Sequence, residues 1–398
     1  MLTALFQEKV FSTIHYTREE LKNLRSKRLI FLCPHCSSEL NLRIGNQNVP
    51  HFAHYSQFHC EIGKQHESPR HLLSKQLLYE RLRELYTEVK VEYFVKELQQ
   101  IADVYVKTKS KKIAIEIQCS SIPIPDILSR TGGYHSQNIT PFWILTQPVT
   151  VKQKGLLHLP SFQQAFIRYS PHVHHFLLQF SPEDRSLTLF THLIPVSVSA
   201  FISAAPVRIP IEQFTLPLSI QHSTINHPYL LKNWNQFRMK WIYNKLHYNK
   251  AKNDLFLREV YRDGDTFLYL PLFVGMPVFP HGIHFKNHAI EWQYYLWKDC
   301  MKKDRFISEE KVAGVIKRRM DRGYLEFRSF PFVSRDHLLK DLVKSYLALL
   351  EDMQVVRRME DGHYQLIHTW NCPDNFPGFE QHQNEFFPKW KHILKKIQ

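Results

Sequence analysis

The stretch that decides the fold is Ile101-Ala-Asp-Val-Tyr-Val-Lys107 together with Ile113-Ala-Ile-Glu-Ile-Gln118. Apolar and polar residues alternate in both runs, the period-two pattern of strands. Lys107–Lys112 is a short basic turn between them, so the two runs read as a hairpin. Residues two apart on a strand share a face, so Glu116 and Gln118 point together and Ile115 and Ile117 point the other way. If the strands pair as a hairpin, Asp103 comes alongside Glu116. Two carboxylates that close repel unless a cation holds them, and oxygen donors of this kind suit Mg²⁺ or Mn²⁺. Such an ion lowers the pKa of a bound water and neutralises charge on a phosphodiester. Gln118 is polar but uncharged, fit to orient a water without supplying a proton. Alternation of this kind is also the ordinary mark of a solvated strand face. What sets this hairpin apart is its surroundings.

Upstream, Ser68-Pro69 opens a helix that the leucines at 72, 73, 77, 78, 82 and 85 predict as far as Tyr86. A β-rich run, Val89–Val95, joins it to the hairpin. Downstream, a helix over Pro125–Ser136 leads to the apolar run Pro141–Leu145. The order is helix, three strands, helix, strand, which is an α/β core. Glu67, His71 and Lys75 recur every four residues and line one helix face. Glu67 or Glu80 would complete a metal shell, with His71 and Lys75 meeting phosphate or water. An exposed face with ordinary i,i+4 contacts is the competing reading. Arg130 and Tyr134 are also four apart, after Ser120 and Ser121. An arginine there holds a phosphate oxygen in two-point fashion or makes a surface salt bridge.

A second signal lies nearer the N-terminus. Cys33-Pro34-His35-Cys36 is followed by His51-Phe52-Ala53-His54 and His59-Cys60. Two cysteines separated by two residues are half of many structural zinc sites, and Gly45-Asn46 between the halves suits a zinc-ribbon hairpin. His51 and His54 are three apart and face opposite sides of a regular strand. Either a turn brings both to the metal beside Cys33 and Cys36, or one of them binds together with Cys60.

The chain has 398 residues and a net charge of +15, which implies two or three domains and an acidic partner, nucleic acid or an anionic surface. No run is apolar enough to span a bilayer, and Glu8 and Lys9 interrupt the place of a signal peptide, so the expected location is the cytoplasm. Six cysteines without a framework pattern fit a reducing compartment.

These motifs together resemble the competence protein CoiA family, whose members are similar to restriction-endonuclease-like nucleases of the PD-(D/E)xK kind. The resemblance is carried by Cys33-Pro34-His35-Cys36, His51-Phe52-Ala53-His54, Glu67 with His71 and Lys75, Asp103, Glu116-Ile117-Gln118, Ser120 or Ser121, Arg130, Tyr134 and Phe142-Trp143-Ile144. It implies a restriction-endonuclease-like αβββαβ domain, an N-terminal zinc-binding β element and a role in processing or recombining incoming single-stranded DNA during transformation. Gln118 stands where many members of that superfamily carry lysine. The expected organisation is a zinc-ribbon-like element over 1–65, the nuclease-like core over 66–150, a β-rich connection over 151–225 and a basic, mainly helical region over 226–398. Two functions follow from the residues. One is a Mg²⁺- or Mn²⁺-dependent deoxyribonuclease acting on single-stranded or branched DNA, with Asp103, Glu116, Gln118, Glu67 and Lys75 at the reaction and His71, Ser120, Arg130 and Tyr134 on the DNA. The other is a non-catalytic DNA-binding mediator that works with recombination proteins.

The C-terminal region adds a helix over Leu230–Lys252 with Trp234, Phe237, Trp241 and Tyr248 at helical spacing. Such a stripe forms either core or a base-stacking platform. Over 336–368 a helix is followed by two β-rich runs around Asp361-Gly362, a strong hairpin signal and the closing half of a winged-helix pattern. Arg357 and Arg358 sit there in position for phosphate contacts, although a helix and hairpin also serve protein docking.

Overall fold

The computed structural model describes residues 1–56, 60, 67–152, 155–218, 230–248, 253–367 and 369–396, without the side chains at 230–232 and 390–396. His59 and residues 249–252, part of the helix expected to reach Lys252, lie outside the described residues. The chain divides into two compact units. The first takes Met1–Pro148, Leu178–Leu189 and Val207–Gln221; the second takes the remainder.

The first unit begins with a small antiparallel sheet. Strands β1 (Thr3–Phe6), β2 (Lys9–Ser12), β3 (Phe31–Leu32), β4 (Glu39–Arg43) and β5 (His51–His54) lie in the order β2-β1-β3-β4-β5. A short helix, α1 (Arg18–Ser26), is fixed at its start by a capping box, Thr17 with Glu20. Ala4, Leu21, Phe31, Leu40, Leu42 and Phe52 close a core under this sheet.

Next comes α2 (Pro69–Leu85). Its N-cap Ser68 accepts a hydrogen bond from the His71 amide, and Pro69 takes the first turn, where its missing N–H costs nothing. Strands β6 (Glu88–Val95), β7 (Gln100–Lys107) and β8 (Lys112–Gln118) follow as an antiparallel meander, then α3 (Ile124–Ser136), then β9 (Ile139–Leu145), parallel to β8. The helix-strand-strand-strand-helix-strand order expected from the sequence is therefore the observed order. Beyond β9 the same sheet is extended by His174–Ser181, Ser186–Phe190 and Val207–Pro210. Helix α2 packs against β6 through Leu72, Tyr79, Val89 and Val91. Tyr134 of α3 packs with Val95, Ala102, Tyr105 and Ala114. These two helices bring the polar residues of the next section to the sheet.

The second unit is built around a large apolar core. Trp234, Phe237 and Trp241 of the helix Leu230–Tyr248 belong to it, and Trp241 stacks on His288 at 4.0 Å. The aromatic stripe is thus core, and of its four rings Tyr248 alone is exposed, at 77%. Further on, the helix Leu338–Asp352 buries Leu342, Val343, Tyr346, Leu347 and Leu350 and leads into an antiparallel hairpin, Val356–Arg358 with Tyr364–Leu366. Gly362 adopts φ +83° at the turn, a conformation open to glycine at little cost. A third strand, Phe306–Ile307, pairs with Tyr364–Leu366, and the helix Glu309–Asp321 follows it.

Candidate metal centres and their surroundings

Register puts Asp103 opposite Glu116, since Val104 pairs with Ile115 on β7 and β8. Their carboxylates nevertheless go to different helices. Asp103 turns to α2: its Oδ2 lies 3.1 Å from His71 Nε2 and its Oδ1 3.9 Å from Lys75 Nζ. It also accepts the Ile117 amide at 2.8 Å. Glu116 turns to α3: Arg130 Nη2 lies 2.6 Å from one oxygen, and the Tyr134 hydroxyl donates to the other. The reason lies in α2 and α3, whose placement no strand periodicity encodes.

The donor atoms that come within 4.8 Å of one another belong to Glu67, His71 and Asp103. His71 Nδ1 is 3.3 Å from Glu67 Oε1. Two carboxylates and an imidazole on a helix face and a strand suit a divalent cation of the Mn²⁺ type, for which both donor kinds are acceptable. Lys75, 1% exposed, donates to Glu67 and lies 2.6 Å from Glu92 Oε1. Burial works against charge on His71, yet Asp103 and Glu67 beside it push the imidazole up to about 10. Burial likewise opposes the carboxylates of Glu67 and Asp103, and the neighbouring Lys75 and His71 hold both below the ordinary range. At Glu116 burial prevails and pushes the carboxyl up to about 7, with Arg130 and Tyr134 limiting the rise.

Gln118 Nε2 donates to the Ser120 carbonyl at 2.6 Å, outside the donor group. Ser120 is exposed. Tyr134 is 0% exposed and serves Glu116, whereas Arg130, which also donates to the Ile101 carbonyl, keeps 37% of its side chain exposed beside that contact. Glu80 accepts from Gln76 and takes no part. Glu92 was not among the expected residues: a glutamate in a strand that alternates with Val89, Val91 and Val95 reads as solvent-facing. Arg357 and Arg358 are exposed on their hairpin.

In the N-terminal sheet, Cys33, Cys36, His54 and Cys60 bring their ligand atoms within 4.8 Å of one another. His54 Nε2 is 3.4 Å from Cys36 Sγ. His51 lies apart, its Nδ1 donating to the Val49 carbonyl at 2.9 Å. Of the two ligand sets left open by the sequence, the geometry gathers the one with Cys60. Burial pushes the Cys33 thiol up to about 12. Burial acts the same way on Cys36, but contacts with Ser38, His54 and Cys33 bring it down to about 6. A buried thiol paired with an acidic one beside an imidazole is a donor set ready for a soft or borderline cation.

The part of the chain that carries the mixed α/β sheet and its carboxylate–imidazole group is a nuclease-like domain by its likeness to known families: residues 67–224 match the family model described as "Competence protein CoiA, nuclease-like domain". Residues 13–63 match the N-terminal domain of the same family and residues 225–374 its C-terminal domain. Competence protein CoiA of Bacillus subtilis (strain 168) is 30% identical over 359 residues, which is 87% of this chain and 92% of that protein. The chain belongs to the competence protein CoiA family.

Proposed function

We propose that this protein is a divalent-metal-dependent deoxyribonuclease of natural transformation, acting on single-stranded or branched DNA to promote recombination of the incoming strand. The observation that carries the reading is the Glu67–His71–Asp103 group on an αβββαβ scaffold, the order of elements in restriction-endonuclease-like PD-(D/E)xK enzymes. Glu67, His71 and Asp103 would hold the ion, and the imidazole favours Mn²⁺ over Mg²⁺. When bound, it would supply an activated water and neutralise charge on the phosphodiester. Lys75 carries the positive charge that a lysine at Gln118 would otherwise bring. Glu116 fixes Arg130 and Tyr134 and borders the site rather than leading it.

The cluster of Cys33, Cys36, His54 and Cys60 would hold a structural zinc, since four protein ligands leave no open position for chemistry. Arg357 and Arg358 would meet the DNA backbone from the C-terminal hairpin, in a unit whose third strand and two helices suit a winged-helix arrangement. Among the described residues no helix is long and apolar enough to cross a membrane. DNA processing of this kind belongs in the cytoplasm.

One observation favours the second reading, a non-catalytic mediator: Lys75, His71 and Arg130 already neutralise the carboxylates. Cleavage of labelled single-stranded, duplex and branched DNA, with Mn²⁺ and without, separates the two. The nuclease reading expects Mn²⁺-dependent products that Asp103→Asn and Glu67→Gln abolish while DNA is still bound. Binding without products, with every substrate and divalent metal, would leave the mediator.

A further inference from the structure

The donor group has a third carboxylate beside it that neither the strand pattern nor the metal geometry calls for. Glu92 lies on β6 between Val91, which pairs with Val104, and Tyr93, which pairs with Ala102; register places it across from Asp103. Its φ is +52°, the left-handed region that a side chain makes unfavourable by about 1–2 kcal/mol. The kink has a visible consequence. Val89 and Val91 pack with α2, whereas Tyr93 and Val95 pack with Tyr134 of α3. Glu92 is the residue at which the alternation breaks, and the break turns its carboxylate toward Lys75.

That carboxylate has four donors. Lys75 Nζ is 2.6 Å from Oε1. The Leu2 amide donates to Oε1 at 2.7 Å, and the Thr3 amide and hydroxyl donate to Oε2 at 2.9 and 2.6 Å. With both oxygens taken, Glu92 is not a metal ligand. Residues 1–3 belong in turn to the Cys/His element. The Phe52 amide donates to the Met1 carbonyl at 2.8 Å, two residues before His54 on the same strand. The His35 ring, inside the Cys33–Cys36 loop, lies 4.9 Å from Phe94 on β6.

We propose that Glu92 is a positioning residue: clamped by the backbone of Leu2 and Thr3, it shares the Lys75 ammonium with Glu67 and so draws part of its charge away from Glu67 and Asp103. The N-terminal β element is on this account a working part of the core site and not an appended module. This rests on the metal reading of Glu67, His71 and Asp103, while the clamp itself does not. Without the negative charge of Glu92, the whole charge of Lys75 falls on Glu67 and Asp103, and it competes more strongly with an incoming cation for both.

The test is a four-variant cycle on the full-length chain, read as Mn²⁺ binding by the loss of the free-ion electron paramagnetic resonance signal. Glu92→Gln should weaken binding about tenfold, the order of effect expected when the Lys75 charge falls fully on the two ligand carboxylates. Lys75→Met should not weaken it, and Glu92→Gln combined with Lys75→Met should bind as Lys75→Met does. Binding by Glu92→Gln equal to wild type, or a double variant as weak as Glu92→Gln, overturns the proposal. Wild-type protein that binds no Mn²⁺ overturns the metal reading and with it the role toward Lys75. The clamp is judged separately by hydrogen exchange of the peptide covering residues 1–6. It should exchange about tenfold faster in Glu92→Gln, where the Leu2 and Thr3 amides lose a charged acceptor, and faster than wild type in Thr3→Val, where the carboxylate loses the hydroxyl that helps hold it. Unchanged exchange in both variants overturns the clamp.

Discussion

Lys75→Met exchanges a buried ammonium for a chain of similar length. It removes the cation shared by Glu67, Glu92 and Asp103, at side-chain exposures of 18%, 6% and 13%. Taking one partner from a buried ion pair costs about 3–5 kcal/mol, because the opposite charge stays behind. For a unit of this size about 2–4 °C of melting temperature goes with each kcal/mol, so the drop should be roughly 6–20 °C. A divalent cation at Glu67, His71 and Asp103 would replace the missing charge. At a concentration about 100 times its dissociation constant it returns about 2.7 kcal/mol, most of the smaller loss and about half of the larger. Thermal melts followed by circular dichroism, with and without Mn²⁺, test this. Mn²⁺ should raise the melting temperature of Lys75→Met by more than that of wild type. A variant that melts with wild type, or gains no more from Mn²⁺ than wild type does, would refute the reasoning.

Further outcomes are expected. Glu116 is protonated more readily in the folded chain than in the unfolded one, so it lowers stability as pH rises from about 4.5 to about 7, by about 3 kcal/mol at 1.36 kcal/mol per unit. Glu116→Gln should flatten that part of the stability–pH profile measured by denaturant titration; an unaltered profile would deny Glu116 this environment. The purified protein should carry about one zinc per chain, and Cys36→Ser or Cys60→Ser should lose it, whereas His51→Ala should retain it, by elemental analysis. Arg357→Ala with Arg358→Ala should weaken binding to all DNA sequences and flatten the salt dependence by about two phosphate contacts. An unchanged slope in a folded variant would make the hairpin a docking element.

The αβββαβ order was legible because each of its parts has a local cause. Ser68 and Pro69 start α2, the leucines give it one face, and the β-branched runs around Asp103 and Glu116 mark β7 and β8. The Cys33–Cys36 pair was legible from spacing alone. Three other features depend on what the chain meets only after folding. Asp103 and Glu116 share a register but not a helix, and period-two reasoning assigns them the same partner. Glu92 is hidden because its left-handed backbone breaks the alternation by which strand residues are sorted. His51, three residues from His54, donates its Nδ1 to the Val49 carbonyl and stays out of the Cys/His group, and Cys60, farther along the chain, joins it instead. In the second unit the aromatic stripe at 234, 237 and 241 marked a buried face correctly, but spacing cannot say whether such a face meets protein or bases.

The most direct measurement is an anomalous difference map from crystals soaked in Mn²⁺. A peak is expected within bonding distance of Glu67, His71 and Asp103, with Glu116 still on Arg130 and Tyr134. A peak bracketed by Asp103 and Glu116, with His71 and Glu67 away from it, or no peak in the first unit at saturating Mn²⁺, would contradict this assignment.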